Sequence, residues 1–143
     1  KSMCPINSAS PHKILVIDDD LYVHKIVALC LEPFLSVDVQ AAPDGYTGLE
    51  YAAANVPDLI ILDFDLPDVD GLEVLHWLRS RPEVSRVPVV AMTGAIDLDP
   101  RCVQMAAACE AFLPKPVDFR ALRRTIRQWI ERPEGAGAAL LDP

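Results

Sequence analysis

Short apolar runs and amphipathic helical stretches alternate five times along this chain. The apolar runs have the length of buried strands, and they occupy residues 13–17, 36–42, 59–62, 88–92 and 111–113. Two neighbouring parallel strands need a crossover connection, which is usually a helix and is right-handed in about 98% of cases. The alternation therefore predicts an α/β fold: a flavodoxin-like, doubly wound parallel sheet of five strands in the order 2-1-3-4-5, with five helices.

Polar residues and prolines mark the ends of several predicted helices. Asp70 and Glu73 have the spacing of a capping box, which starts a helix. Asp99 and Asp118 are placed as caps of the last two helices, and Pro33 ends the first one. The last helix is predicted to bury the residues that recur at core spacing, which are Phe119, Leu122, Ile126 and Trp129.

Length and charge indicate one domain and exclude several classes of partner. The domain is predicted over residues 13–132, with 1–12 a flexible N-terminal segment or tag remnant and 133–143 a flexible tail or truncated linker. The net charge of −8 opposes nucleic acid and anionic lipid, so neither is an expected partner. No apolar run reaches the roughly 20 residues of a membrane helix, no signal peptide is recognisable, and the cysteines are expected to be reduced, so a cytoplasmic location is expected.

Aspartates cluster directly after the first and third predicted strands. Asp18 and Asp19 follow the first strand, while Asp63 and Asp65 follow the third. In the predicted strand order both clusters lie at the switch point, where ligands bind in such sheets. Crowded carboxylates raise one another's pKa and cost stability unless a cation compensates. Magnesium prefers such oxygen ligands, so the clusters predict a Mg²⁺ site that could also take Mn²⁺; the alternative is a set of solvated turn residues.

A hydroxyl and an ammonium are expected beside the same sheet edge. Thr93 follows the fourth predicted strand, and Lys115 follows the fifth. Each alone is typical of a turn residue or a solvated charge. Together with the carboxylates they supply a nucleophile, a metal site and two groups that can bind phosphoryl oxygens, which is the equipment of phosphoryl transfer.

Four motifs resemble the receiver domain of two-component response regulators. They are ILVIDDD at 14–20, LIILDFDLPDVDGLEVL at 59–75, VVAMTG at 89–94 and AFLPKP at 111–116. The resemblance implies that Asp63 is the phosphoacceptor and that Asp18 and Asp19 hold the metal, with Asp19 the more direct ligand. It further implies that Asp65 ligates the metal mainly through its backbone carbonyl.

The same resemblance assigns the remaining site residues. Thr93 and Lys115 would contact the phosphoryl group, Phe112 would be the aromatic switch residue, and the peptide bond between Lys115 and Pro116 would be cis. Ala108 stands where the family usually has glycine at the end of the fourth helix, so the local turn is expected to differ.

The resulting function is a signalling switch rather than a metabolic enzyme. A sensor histidine kinase or a histidine phosphotransfer protein would donate the phosphoryl group, and a homodimer would form through the fourth helix, fifth strand and fifth helix. Two alternatives stay open. The order Asp63-Phe64-Asp65 also resembles the nucleophile and acid of haloacid-dehalogenase-type phosphatases, although no late acidic pair accompanies Lys115. A pseudo-receiver would keep the fold and never carry phosphate.

Overall fold

The computed structural model describes residues 11–31, 36–94 and 99–131 of the chain. They form five strands and five helices in strict alternation. The strands are β1 (His12–Ile17), β2 (Val37–Ala42), β3 (Leu59–Asp63), β4 (Val89–Thr93) and β5 (Ala111–Pro114). The helices are α1 (Leu21–Leu31), α2 (Gly45–Ala54), α3 (Gly71–Ser80), α4 (Pro100–Ala108) and α5 (Phe119–Ile130).

All neighbouring strands pair in parallel, and the strand order is β2-β1-β3-β4-β5. The predicted fold and strand order are therefore confirmed. Every residue of β3 and β4 is buried, which explains their nearly continuous apolar sequence, because parallel strands are covered on both faces. The register places Ile17 beside Leu62 and Asp63 beside Met92, so β1, β3 and β4 end at the same edge of the sheet.

Two apolar clusters hold the helices on the two faces of the sheet. One cluster joins α2, α3 and α4 to the sheet, and it includes Leu49, Leu75 and Met105. The other joins α1 and α5 to the opposite face through residues such as Val27 and Ile126. Because both faces are fully covered, the polar strand ends are the part of the sheet that remains available for chemistry.

The helix starts agree with the caps that the sequence predicts. The side chain of Asp70 accepts a hydrogen bond from the backbone of Glu73, and Asp99 and Asp118 each cap the following helix. One core prediction is wrong: Phe119 remains 50% exposed. It is the first residue of α5, and the apolar cluster on this face of the sheet begins at the next turn of the helix, with Leu122.

Several predictions fall outside the described residues. Pro33 as the end of the first helix, most of the N-terminal segment 1–12, and the tail 133–143 lie there. Within the described part of the chain, His12 already belongs to β1. The limits of the domain at 13 and 132 remain a prediction. None of the helices formed by the described residues has the length and apolarity of a membrane span.

Candidate functional site

Three aspartates meet where β1 and β3 end. Asp63 is the last residue of β3, and Asp18 and Asp19 follow β1 directly. One carboxylate oxygen from each of Asp18, Asp19 and Asp63 lies within 4.8 Å of the others. Asp18 and Asp63 are 2% and 3% exposed, whereas Asp19 faces solvent. The three carboxylates thus converge as predicted, and the cluster is exposed to solvent at Asp19.

Lys115 places its ammonium between the two buried carboxylates. Its Nζ lies 2.9 Å from Oδ2 of Asp18 and 3.5 Å from Oδ2 of Asp63. The backbone N–H of Lys115 donates to the carbonyl of Thr93 at 2.9 Å, which fixes the loop after β5 against the end of β4. The bond between Lys115 and Pro116 is cis, as the resemblance implied.

Thr93 is buried at the end of β4, on the other side of Asp63. Only 1% of Thr93 is exposed. Its hydroxyl donates to Oδ2 of Asp65 over a long 3.5 Å. The hydroxyl is therefore near the carboxylates but directed toward Asp65, and a stronger acceptor beside Asp63 would compete for it.

The pKa of Asp63 is unusually high for an aspartate. Burial raises the pKa of Asp63 to about 7, the charge of Asp18 adds to this rise, and Lys115 partly opposes it. Burial alone would lower the pKa of Lys115, but its hydrogen bond and charge contacts with Asp18 and Asp63 raise it. The ammonium therefore stays charged, and it compensates only part of the negative charge around Asp63.

The donor set fits a hard divalent cation. Oδ1 of Asp63 is buried and has no hydrogen-bond partner among the described residues. A buried anionic oxygen without a partner is costly, and a cation coordinated there would remove that cost. All three converging side chains offer carboxylate oxygens, which are the ligands that magnesium prefers.

The turn behind Asp63 requires glycine at position 71. The N–H of Gly71 donates to the carbonyl of Phe64 at 2.8 Å. A Cβ at this position would lie 2.6 Å from the backbone oxygen of Asp63 and 2.8 Å from Cε of Met105. The backbone of the phosphoacceptor candidate thus packs directly on the start of α3, and the glycine permits that approach.

Asp68 has a role that the sequence analysis missed. Its carboxylate accepts the N–H groups of Gly45 and Tyr46 at 2.9 Å, which are the first two of α2. Loss of hydration alone would raise the pKa of Asp68, but these hydrogen bonds together hold it below its usual value. Asp68 therefore ties the loop after β3 to the start of α2, across the end of β1. No local pattern in the sequence predicts this contact.

The two remaining predicted features are Phe112 in β5 and the end of α4 at Ala108. Phe112 pairs with Ala91 in the register of β5 and β4, and its ring is half-buried against the apolar cluster beneath α2, α3 and α4. Helix α4 ends at Ala108, and the following residue, Cys109, has an extended backbone with φ of −100°. Cys109 therefore does not adopt the left-handed conformation that often ends a helix.

A family model for the response regulator receiver domain matches residues 14–127. The chain belongs to this family. Receiver domains of response regulators are signalling switches of two-component systems rather than metabolic enzymes, as the sequence analysis expected. The family match favours this reading over the dehalogenase-type phosphatase.

Curated relatives of this receiver domain are response regulators. The chain is 34% identical over 122 residues to response regulator MprA of Mycobacterium sp. (strain KMS), covering 85% of the chain and 52% of the relative. It is 33% identical over 120 residues to the DNA-binding dual master transcriptional regulator RpaA of Synechocystis sp., covering 84% of the chain and 49% of the relative. The chain therefore spans about half the length of these relatives.

Solved structures share the fold of this receiver domain. The signal receiver domain of a DNA binding response regulator protein from Colwellia psychrerythraea 34H is 28% identical with a TM-score of 0.72, covering 84% of the chain and 98% of that structure. The chemotaxis response regulator CheY4 of Vibrio cholerae is 24% identical with a TM-score of 0.72, covering 84% of the chain and 99% of that structure. The latter supports the fold alone.

Proposed function

We propose that this receiver domain takes a phosphoryl group onto Asp63 from a phosphohistidine of a sensor histidine kinase or a histidine phosphotransfer protein, and that Mg²⁺ is required. The main support for the proposal is the position of Asp63. Its buried carboxylate lies within 4.8 Å of carboxylate oxygens of two other aspartates and 3.5 Å from the ammonium of Lys115. A solvated turn residue would need neither the burial nor the neighbouring cation.

In the proposed transfer a carboxylate oxygen of Asp63 forms the bond to phosphorus. The bond from phosphorus to the histidine nitrogen breaks, and its electron pair stays on the imidazole. The ammonium of Lys115 and the hydroxyl of Thr93 bind oxygens of the phosphoryl group, because both are donors at the edge where β3 ends. Burial of the site strengthens each of these interactions.

The metal would be held by the carboxylates of Asp18, Asp19 and Asp63, together with the backbone carbonyl of Asp65. Bound Mg²⁺ supplies positive charge that lets an anionic phosphoryl group approach an anionic nucleophile. The support for this assignment is the convergence of the three side chains and the unpartnered buried oxygen of Asp63. Mn²⁺ would satisfy the same donors.

A hollow beside the site suits the phosphohistidine donor. It measures about 490 Å³ and is lined by residues of the turn before α1, of α1 itself and of the segment after β5, which are Asp20, Tyr22, Val23, Ile26, Lys115, Pro116 and Val117. Tyr22 is 69% exposed although it is a large aromatic residue. Because Lys115 belongs to both the hollow and the carboxylate site, a histidine side chain presented here would be close to Asp63.

The output of the switch is also part of the proposal. Phosphorylation would change the face formed by α4, β5 and α5, through Thr93 and Phe112, and a homodimer would use that face. The proposed place of action is the cytoplasm.

Intact-mass spectrometry after incubation with acetyl phosphate and Mg²⁺ tests the transfer. The expected result is one added phosphoryl group in the wild type and none in Asp63→Asn. Asp38→Asn is the matched control, because Asp38 is exposed on the edge strand β2 and the charge change is the same. Equal labelling of Asp63→Asn and wild type would refute the assignment, and an unlabelled but folded wild type would favour the pseudo-receiver.

A further inference from the structure

Helix α4 contacts the turn behind Asp63 through two residues that lie one helical turn apart. Nε of Arg101 donates to Oδ2 of Asp70 at 2.6 Å, and its Nη2 donates to Oδ1 at 3.1 Å. Four residues later, the buried Met105 packs against Gly71. Residues at positions i and i+4 share one face of a helix. One face of α4 therefore rests on the dipeptide Asp70-Gly71.

This dipeptide is connected tightly to the phosphoacceptor candidate. The N–H of Gly71 donates to the carbonyl of Phe64, the residue that follows Asp63. A Cβ on Gly71 would lie only 2.6 Å from the backbone oxygen of Asp63. The turn thus has no free space on the side of Asp63, and a displacement of α4 must be taken up at the contacts of Arg101 and Met105 instead.

The contact of Arg101 depends strongly on geometry. Two parallel N–H···O bonds between a guanidinium and a carboxylate require both groups to be coplanar and close. The hydrogen bond from Arg101 holds the pKa of Asp70 below its usual value, and partial burial opposes this effect. A small shift of the first turn of α4 would break the second hydrogen bond before it changed the packing of Met105.

The first turn of α4 follows Thr93 along the chain, separated by few residues. In the structure the hydroxyl of Thr93 donates to Oδ2 of Asp65 over a long 3.5 Å. A phosphoryl group on Asp63 would attract that hydroxyl and draw the end of β4 toward the site. Helix α4 is the next element along the chain and packs against β4. It would therefore shift with the end of β4, and the bidentate geometry at Asp70 would be lost.

We propose that the ion pair between Arg101 and Asp70 is a latch that holds α4 in the unphosphorylated position and so opposes the switch. The inference rests on the proposed function, since it concerns the regulation of the same site. Breaking the latch would lower the cost of the phosphorylated arrangement. Exposed ion pairs contribute little, so the expected gain in affinity for a phosphoryl mimic is about two- to fivefold.

Calorimetric titration with beryllofluoride in the presence of Mg²⁺ tests the latch. The variants are Arg101→Gln, Asp70→Asn and their combination, and asparagine at position 70 retains the ability to cap α3. Both single variants are expected to bind beryllofluoride more tightly than the wild type, and the double variant no more tightly than either. Arg101→Gln is the sharper case, because removing a positive charge by itself weakens the binding of an anion.

Arg124→Gln is the matched control, since Arg124 is exposed on α5 and loses the same charge. It is expected to bind no more tightly than the wild type. Arg101→Lys keeps the charge without the bidentate geometry and is expected to lie between wild type and Arg101→Gln, which also serves if the glutamine variant folds poorly. Unchanged or weaker binding by the Arg101 variants, or tightening in the double variant equal to the product of the single effects, would overturn the latch alone. Absence of binding by a folded wild type would overturn the proposed function and the latch with it.

Discussion

The ammonium of Lys115 lies 2.9 Å from the buried carboxylate of Asp18, so one cation at the end of β5 compensates the aspartates at the ends of β1 and β3. Lys115→Met should therefore lower the free energy of unfolding at pH 8 without metal, by on the order of 2 kcal/mol, because it leaves buried carboxylates uncompensated. Added Mg²⁺ should restore more stability in this variant than in the wild type. Denaturant titrations measure both effects. Lys25→Met, at an exposed position on α1, is the control and should change little.

The raised pKa of Asp63 predicts a pH-dependent stability. Its folded-state pKa of about 7 exceeds the unfolded value of about 3.9, so its contribution to stability is full below about pH 4 and is lost as the pH rises through 7. In Asp63→Asn the side chain cannot ionise, so this loss of stability with rising pH is absent. Its advantage over the wild type, measured by urea unfolding without metal, should therefore be larger at pH 8 than at pH 5, by on the order of 2 kcal/mol. A stability difference that is constant across this range would contradict the raised pKa.

Asp19 should contribute to metal affinity more than to the fold. It is exposed, yet its carboxylate lies within 4.8 Å of those of Asp18 and Asp63. Asp19→Asn should weaken Mg²⁺ binding on the order of tenfold, because one charge fewer faces the cation, and should leave the unfolding free energy unchanged or slightly raised. Calorimetric titration with Mg²⁺ is the measurement. Asp38→Asn serves as the control, and equal effects of the two substitutions would place the metal elsewhere.

Substitution by alanine should affect stability differently at two glycines near the site. A Cβ at Gly71 would lie 2.6 Å from the backbone oxygen of Asp63, whereas at Gly94 the nearest atom among the described residues would be Cβ of Lys115 at 3.8 Å. Gly71→Ala should lower the unfolding free energy by on the order of 2 kcal/mol, since backbone must move, and Gly94→Ala should stay within about 0.5 kcal/mol of the wild type. Similar stabilities of the two variants would show that the turn behind Asp63 can adjust.

Phe112 should change its environment when the site is filled. The ring is half-buried, and deeper burial favours an aromatic side chain by roughly 1.5 to 3 kcal/mol. If Thr93 moves toward a phosphoryl mimic on Asp63, space for the ring opens near the end of β4. Fluorine NMR of labelled Phe112 should show different populations with and without beryllofluoride, and Thr93→Ala should reduce that difference. Identical spectra in both states would show that Phe112 takes no part in the conformational change.

The alternation of strands and helices and the two acidic clusters could be predicted from the sequence because both are local properties of the chain, and the strand order followed from the doubly wound fold that this alternation predicts. Apolar runs of strand length, each followed by a helical stretch, leave few topologies for a parallel sheet. Asp18 and Asp63 end runs of this kind, so they had to lie at the same edge once the strands were adjacent. The caps at Asp70 and Asp99 were predictable for the same reason, since a cap and its helix are neighbours in sequence.

Only the tertiary structure decided the contacts between distant residues and the charge state they impose. The pairing of Asp70 with Arg101 and of Asp68 with the start of α2 joins residues that share no sequence pattern, so nothing local specifies them. The exposure of Phe119 depends on where the apolar cluster ends rather than on helical spacing. The raised pKa of Asp63 likewise arises first from its burial and then from the charge of Asp18, which only the folded chain brings beside it.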